Sequence, residues 1–430
     1  MMLHHLKIAF RNLRKYKTQN FISIIGLAVG FACFAFSALW IRYEMGYDSF
    51  HPKADRIYRV HTNIHKWETK SASEISDMNP YPLANWLKTE FPEIEDACGI
   101  CPFTLDKKIN CLYADFAFCN IFDVPIPENI FLQGRSDRPV VVTDELKGYM
   151  EYIKENHNYN VQTSISRWPA NTNIPFNMII PVTLASDEWM NKWFFYGSYH
   201  IYVLVGKGVD IKTLEEKLDK VMLPEWQNPV SIILTPLKQL RHHNPSGNIA
   251  ADIKFSHIQI FLLAGLLVIL CSLFNHLTLF VSRVRMRLRE LALRKVNGAT
   301  GIQIAATLYT DFLLVIFLSL IAGFLLLGWL LPSFKEYATI GNNSIDIYSE
   351  LLFYAALLIV CSIIACNIPI LFFRKQALND SIKGGGAPGS RNLFRKVSFL
   401  VQLIISVGLI FCSTVFIKQM RVCSRKECVQ

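Results

Sequence analysis

Five stretches of the chain, residues 21–41, 258–281, 312–331, 351–373 and 397–417, run for about twenty positions without Asp, Glu, Lys or Arg. At 1.5 Å per residue, a helix over each stretch covers the roughly 30 Å of a bilayer's hydrocarbon. A helix buried in a soluble core seldom stays free of charge for so long. All five are therefore expected to span a membrane. The first is longer than a signal-peptide core and carries no clear small-x-small cleavage site, so it is expected to be retained.

Residues 42–257 show shorter runs of mixed period, which predicts an α+β domain of one or two lobes. Residues 200–205 and 231–235 read as strands, and 138–143 (RPVVVT) as a buried strand. Residues 213–222 predict an amphipathic helix with Leu214, Leu218 and Val221 on one face, and 81–91 a short helix stopped by Pro92. Ahead of the first span, Leu3, Leu6, Phe10 and Leu13 recur at helical spacing, with Lys7, Arg11 and Arg14 opposite them. Residues 1–20 are expected to form an interfacial helix, the alternative being a basic flank that only fixes orientation. The expected fold class is an α-helical membrane protein of five transmembrane helices with an α+β domain between the first and second.

Composition agrees. Hydrophobic residues make up 52% of the 430 and charged residues 18%, against a charged share of about 25% in soluble proteins. Disorder is excluded by the same figures. The net charge of +10 takes its meaning from placement. Segments 1–20, 282–310 and 374–396 hold 17 of the 44 basic residues and 2 of the 34 acidic ones, leaving 27 basic and 32 acidic elsewhere. If the helices alternate in direction, all three basic segments lie on one side, as the positive-inside rule requires for a cytoplasmic N-terminus. The basicity is thus topological, and a nucleic-acid partner loses its support. Residues 282–311 become a cytoplasmic loop, 374–396 a cytoplasmic linker, and 332–350 and 418–430 an external loop and tail.

Eleven cysteines are too dilute for a disulfide-stapled small protein, but Cys98, Cys101, Cys111 and Cys119 cluster in the external domain. Zinc calls for two close pairs, and the second pair here is eight apart, so no metal site is expected. Disulfides in an oxidising compartment and free buried thiols both remain open. Catalytic signals are missing as well. Residues 384–390 (GGGAPGS) have no Lys ahead of the Ser, so they read as a flexible linker instead of a phosphate loop. His4-His5 and His242-His243 have no helical i, i+4 partner, and there is no Ser or Cys nucleophile motif. The chain is expected to have no catalytic residue and no cofactor of its own.

Residues 283–301 are too charged for a span and too regular for a casual linker. Leu288, Leu291, Ala292 and Lys295 share a helical face, and Gly298 supplies a C-terminal stop. A short helix beneath the membrane suits docking into a partner's groove; a basic orientation anchor is the plainer reading.

The segment RELALRKVNGATGIQI (289–304) resembles the signature of MacB/FtsX-type ABC transporter permeases: an acidic residue, a basic pair, then Gly-Ala after the second helix. HHLKIAFRNLRKYKTQNFISIIGLAVGFACF (4–34), YADFAFCNIFDVPI (113–126), RPVVVTDEL (138–146) and FRKVSFLVQLIIS (394–406) are similar to further parts of that family, so the resemblance covers most of the chain. It implies a bacterial inner-membrane permease with a MacB-like periplasmic core domain over 42–257 and an FtsX-like permease domain over 258–373. It also implies an ATPase subunit that binds the ATP and docks on the cytoplasmic loop, with Glu290, Arg294, Lys295, Gly298 and Ala299 as the coupling segment. A second permease unit and a periplasmic adaptor would be further partners. Such permeases export macrolides or peptides, handle lipoproteins, or activate cell-wall hydrolases without moving a solute. The implied function is export of a hydrophobic or peptide-like substrate. The alternative is a transmembrane signalling scaffold that controls a periplasmic sensor or hydrolase. Larger relatives carry two units in tandem, and the fifth helix looks like the start of a second. The resemblance therefore implies an N-terminal half, and a truncated, nonfunctional permease is the third reading.

Overall fold

The computed structural model describes residues 2–64, 74–106, 109–132, 137–185, 192–193, 199–226, 228–246, 255–338, 340–341, 344–376, 399–411, 413–414 and 418. The chain divides into two compact units, one of Met1–Ile41 with Gln259–Gln430, the other of Arg42–Ile258. It opens with α1 (Met2–Lys15), turns at Tyr16, and continues as α2 (Lys17–Met45).

In the second unit, nine strands form one sheet: β1 (Ile57–Ile64), β2 (Glu74–Ser76), β3 (Ile94–Leu105), β4 (Ile109–Ala114), β5 (Pro139–Thr143), β6 (Asn160–Ile165), β7 (Met178–Pro181), β8 (His200–Val205) and β9 (Val230–Pro236). Their order is β2-β1-β8-β3-β4-β7-β5-β6, with β9 on β1. The β4–β7 and β5–β6 pairs are parallel and the others antiparallel. Among the described residues the unit's short α-helices are α3 (Pro82–Glu90), α4 (Phe116–Phe122), α5 (Asn129–Leu132), α6 (Met150–His157) and α7 (Ile211–Lys217).

Side-chain alternation explains why the apolar strands read as continuous runs. On β5, Val141 joins a core with Phe118 and Phe176, while Val140 and Val142 face another with Ile153 and Met178. On β8, Tyr202 and Leu204 enter the first of these, whereas Ile201, Val203 and Val205 pack with Leu83 and Leu87. The strands expected at 138–143, 200–205 and 231–235 and the helix at 81–91 are present within a residue at each end. The helix expected over 213–222 stops at Lys217. Lys220 adopts a left-handed φ of 54°, and Val221 leaves the helix to pair with Val230.

The first unit continues with α8 (Phe255–Met286), α9 (Leu288–Val296), α10 (Gly301–Ala338), α11 (Ser344–Gln376) and α12 (Phe399–Phe411). Among the described residues, four helices are long and apolar enough to cross a membrane: α2, α8, α10 and, over Ile347–Asn367, α11. Of the fifth expected span, the described residues form α12, with Ser413 and Thr414 beyond it, and the rest of 397–417 lies outside the described residues. So do the glycine-rich 384–390 segment and all but one residue of the expected tail. The loops expected at 282–311 and 332–350 are mostly helical, because α8, α10 and α11 extend beyond their apolar runs. Polar side chains end the hydrocarbon match but leave the backbone ladder intact, and Pro332 lacks a single donor within α10. Leu27, Phe31, Phe280, Phe312, Leu320 and Leu351 lie at the centre of this unit's core.

Candidate coupling site

The chain between α8 and α10 is defined by its own hydrogen bonds. Arg287 breaks the helix at φ −106°, ψ 4°, and α9 starts at the next residue. At the other end Gly298 takes φ +91°, a left-handed conformation that costs glycine little. The Gly298 N–H donates to Lys295 O at 3.1 Å and the Ala299 N–H to Arg294 O at 3.0 Å, the paired bonds of a Schellman stop. Thr300 then caps α10: Gln303 N donates to Thr300 Oγ1 at 3.3 Å, and Thr300 N to Gln303 Oε1 at 3.0 Å. This is a reciprocal capping box, legible in the sequence as Thr-x-x-Gln.

Of the residues the sequence singled out, Glu290 and Arg294 form an ion pair at 2.8 Å. Gly298 and Ala299 make the turn, and Lys295 is half-buried beside them on the last turn of α9. Burial of Glu290 would raise its carboxyl, but Arg287 and Arg294 prevail and hold it below the usual range. The expected Leu288–Leu291–Ala292 face turns inward, with Leu291 in the core. Leu293 and Val296 point out, Val296 being 83% exposed.

Sequence reasoning missed the other half of the cluster. Asp311, in the third turn of α10, accepts Asn12 Nδ2 at 3.1 and 3.2 Å and is paired with Arg287. Asn12 lies on α1, whose inward face is Ala9, Asn12 and Leu13, with Tyr16 in the turn after it, while Phe10 is exposed. That face differs from the expected Leu3–Leu6–Phe10–Leu13 stripe, and the side chains of residues 1–6 lie outside the described residues. Only the Arg283/Arg287 spacing of four on one helical face hinted at this cluster.

The four cysteines of the other unit carry free thiols. Cys98 and Cys101 are three apart on the extended β3, so they project from opposite faces of the sheet. Cys98 and Cys119 share one core, and Cys111 belongs to another. Burial raises the Cys98 thiol well above its ordinary value and pushes Cys111 and Cys119 up to about 12, which makes them unreactive. Among the described residues, no group of three or more His, Cys, Asp or Glu is placed to hold a metal ion.

Long apolar helices, a capped basic helix between two of them and a separate α/β unit define a multi-span membrane protein. Residues 262–378 match the FtsX-like permease C-terminal family model, so the resemblance drawn from residues 289–304 is borne out. A domain from Porphyromonas gingivalis, provisionally assigned as a permease, is similar at 20% identity over 43% of this chain and 91% of its own, with a TM-score of 0.36. No curated protein matches the chain.

Proposed function

We propose that the chain is the membrane subunit of an ABC-type exporter, sitting in a bacterial inner membrane with its α/β unit in the periplasm. In this reading α9 receives the thrust of a partner ATPase, which binds the ATP, while the permease itself performs no catalysis. The observation that carries the proposal is the construction of α9. A helix of nine residues, stopped and restarted by its own hydrogen bonds, sits inside the matched permease segment with Leu293 and Val296 projecting beside Arg294 and Lys295. A rigid knob carrying apolar tips and fixed cations suits a groove on a soluble partner. Cell membranes expressing the chain with its ATPase provide the test. Arg294→Glu with Lys295→Glu should reduce co-purification of the ATPase at least about tenfold, since like-charge contacts cost several kcal/mol. Unchanged association would exclude α9 as the contact.

A second reading, movement relayed to the periplasmic unit without a solute crossing the bilayer, draws on the polar groups within the spans. Two pairs of them meet: Ser23 Oγ lies 3.3 Å from His276 Nδ1, and Tyr309 donates to Asn367. Such pairs bind helices together and line no hydrophilic path. The substrate would then be engaged at the α/β unit or taken from the outer leaflet. Reconstituted vesicles loaded with candidate peptides separate the two, because only an exporter changes their distribution on addition of ATP.

A further inference from the structure

Beneath α1 lies a small cavity of about 30 Å³, lined by Asn12, Tyr16, Asn20, Arg283, Arg287 and Asp311 among others. Its polar groups are out of balance. Arg287 is 5% exposed; its Nε donates to Glu290 at 3.4 Å, one terminal nitrogen pairs with Asp311, and Nη2 is buried without a partner. Arg283, 8% exposed, makes no hydrogen bond to another described residue and lies in the field of Asp311 and Arg287. Asn12 directs its amide at the same Asp311, and Asn20 Nδ2 donates to Leu13 O. Two guanidinium groups and an amide therefore gather around Asp311, while Glu290, shared with Arg294, reaches Arg287 only through Nε. A buried guanidinium nitrogen with no acceptor is costly, and what would relieve it is an oxygen bearing negative charge.

We propose that this cavity binds a phosphate oxyanion, and that its source is the phosphodiester of an anionic phospholipid in the leaflet that α1 borders. The cavity admits one or two oxygens and no whole headgroup, which suits a group presented on a stem. Lys7, Arg11, Arg14 and Lys15 are exposed on α1 and draw anionic lipid towards the opening. The cavity forms where α8 leaves its apolar run, at residues 280–287, the depth at which headgroup phosphates lie. The bound phosphate would tie α1 to the ends of α8 and α10, making lipid part of the scaffold that holds α9. This proposal rests on the immersion of the helical unit in lipid and is independent of the ATPase contact.

Native mass spectrometry of the full chain in detergent tests it, with phosphatidylglycerol, phosphatidylcholine and inorganic phosphate added separately. Wild type should bind phosphatidylglycerol at least about tenfold more tightly than phosphatidylcholine: both present the same phosphodiester oxygens, but the choline cation is repelled by Arg283, Arg287 and the exposed cations of α1. Tighter binding of phosphatidylglycerol than of inorganic phosphate identifies the lipid source; the reverse keeps the oxyanion site and overturns its lipid source. Arg283→Gln and Arg287→Gln should each lose the preference, whereas Arg289→Gln, an exposed position with the same loss of charge, should keep it. Asp311→Asn removes the competing carboxylate and should tighten binding about threefold, a gain that mere structural damage cannot produce. It also serves as the test if Arg287→Gln fails to fold. Equal binding of both lipids with no phosphate bound overturns the proposal. Wild-type behaviour of both arginine variants, or weakened binding in Asp311→Asn, overturns it as well. Carbonate extraction of the expressed chain reports separately on immersion, and release from the membrane would overturn the lipid source.

Discussion

In the α/β unit the buried carboxylate of Asp48 receives three donors, Thr172 Oγ1 at 2.6 Å, Asn173 Nδ2 at 2.6 Å and Asn173 N at 3.1 Å. In the helical unit the equally buried guanidinium of Arg287 leaves a nitrogen unpaired. The contrast extends to apolar surface. The helical unit exposes rows such as Ile260, Leu263, Leu266 and Leu270 on α8 and Leu352, Phe353, Leu357, Val360 and Ile364 on α11, whereas the α/β unit exposes single residues such as Leu132 and Met222. One unit is finished for water, exposing only scattered apolar side chains. The other keeps its surface for lipid and packs its few polar groups between helices. A polar lock at Asp48 helps hold the α/β unit, and close helix approach at Gly30 helps hold the helical one.

The largest effect should come from removing a lock. Asp48→Ala strands three buried donors and should destabilise the α/β unit by about 4 kcal/mol, seen as early proteolysis of residues 42–258 with the helices intact. Asp48 also has a left-handed φ of 52°, so Asp48→Asn, which tolerates that conformation, should cost less.

Acidification tests the same unit. Burial lowers His51 and His200 to about 4 and His61 to about 3, so the unfolded chain takes up these protons first. Their contribution to stability is present above pH 6.5 and is lost as the pH falls towards 4. Asp48 and Asp115 act in the opposite sense. Burial raises both to about 6, so the folded state gains their protons first and its stability grows between pH 6 and 4. Three histidines outweigh two carboxylates, and a drop from pH 7 to 5 should cost about 3 kcal/mol net. Melting curves at the two values read this directly, and His61→Asn should flatten the difference.

In the helical unit the corresponding break is steric. A Cβ at Gly30 would lie 2.6 Å from Ser272 Cβ, so Gly30→Leu should cost about 2 kcal/mol by overpacking and lower the melting temperature in detergent. Gly408→Leu, with nothing within 4 Å, should not. The smallest effect belongs to Glu290→Gln, which removes the partly exposed pair with Arg294 and the longer one with Arg287 and should cost about 0.5 kcal/mol. Faster amide exchange over residues 288–296 would register it.

Local chemistry made much of this legible in advance. Five charge-free runs pointed to the helices, and among the described residues four helices are long and apolar enough to span. Valines at 140–142 marked a strand buried on both faces, and Gly298 marked the end of α9. The helix ends were less legible, because hydropathy reports where hydrocarbon stops and not where the backbone ladder does. Leu218 carries an apolar periodicity into a turn that Val221 then leaves to pair with Val230. For the cysteines, counting spacings along the chain could not reveal that an odd spacing on a strand separates Cys98 from Cys101 across a sheet.

What the amino-acid order determined by itself is whatever depends on neighbours a few positions apart: spans, basic flanks, caps, and the capped basic helix within the matched permease segment. Only the tertiary structure decided which distant polar groups meet. Asn12, Arg287 and Asp311 lie on three separate elements, and Asp48 reaches Thr172 and Asn173 across more than a hundred residues. A buried charge selects its partner by distance in space, and that distance is set by the packing of whole helices and strands, which no local pattern of residues contains.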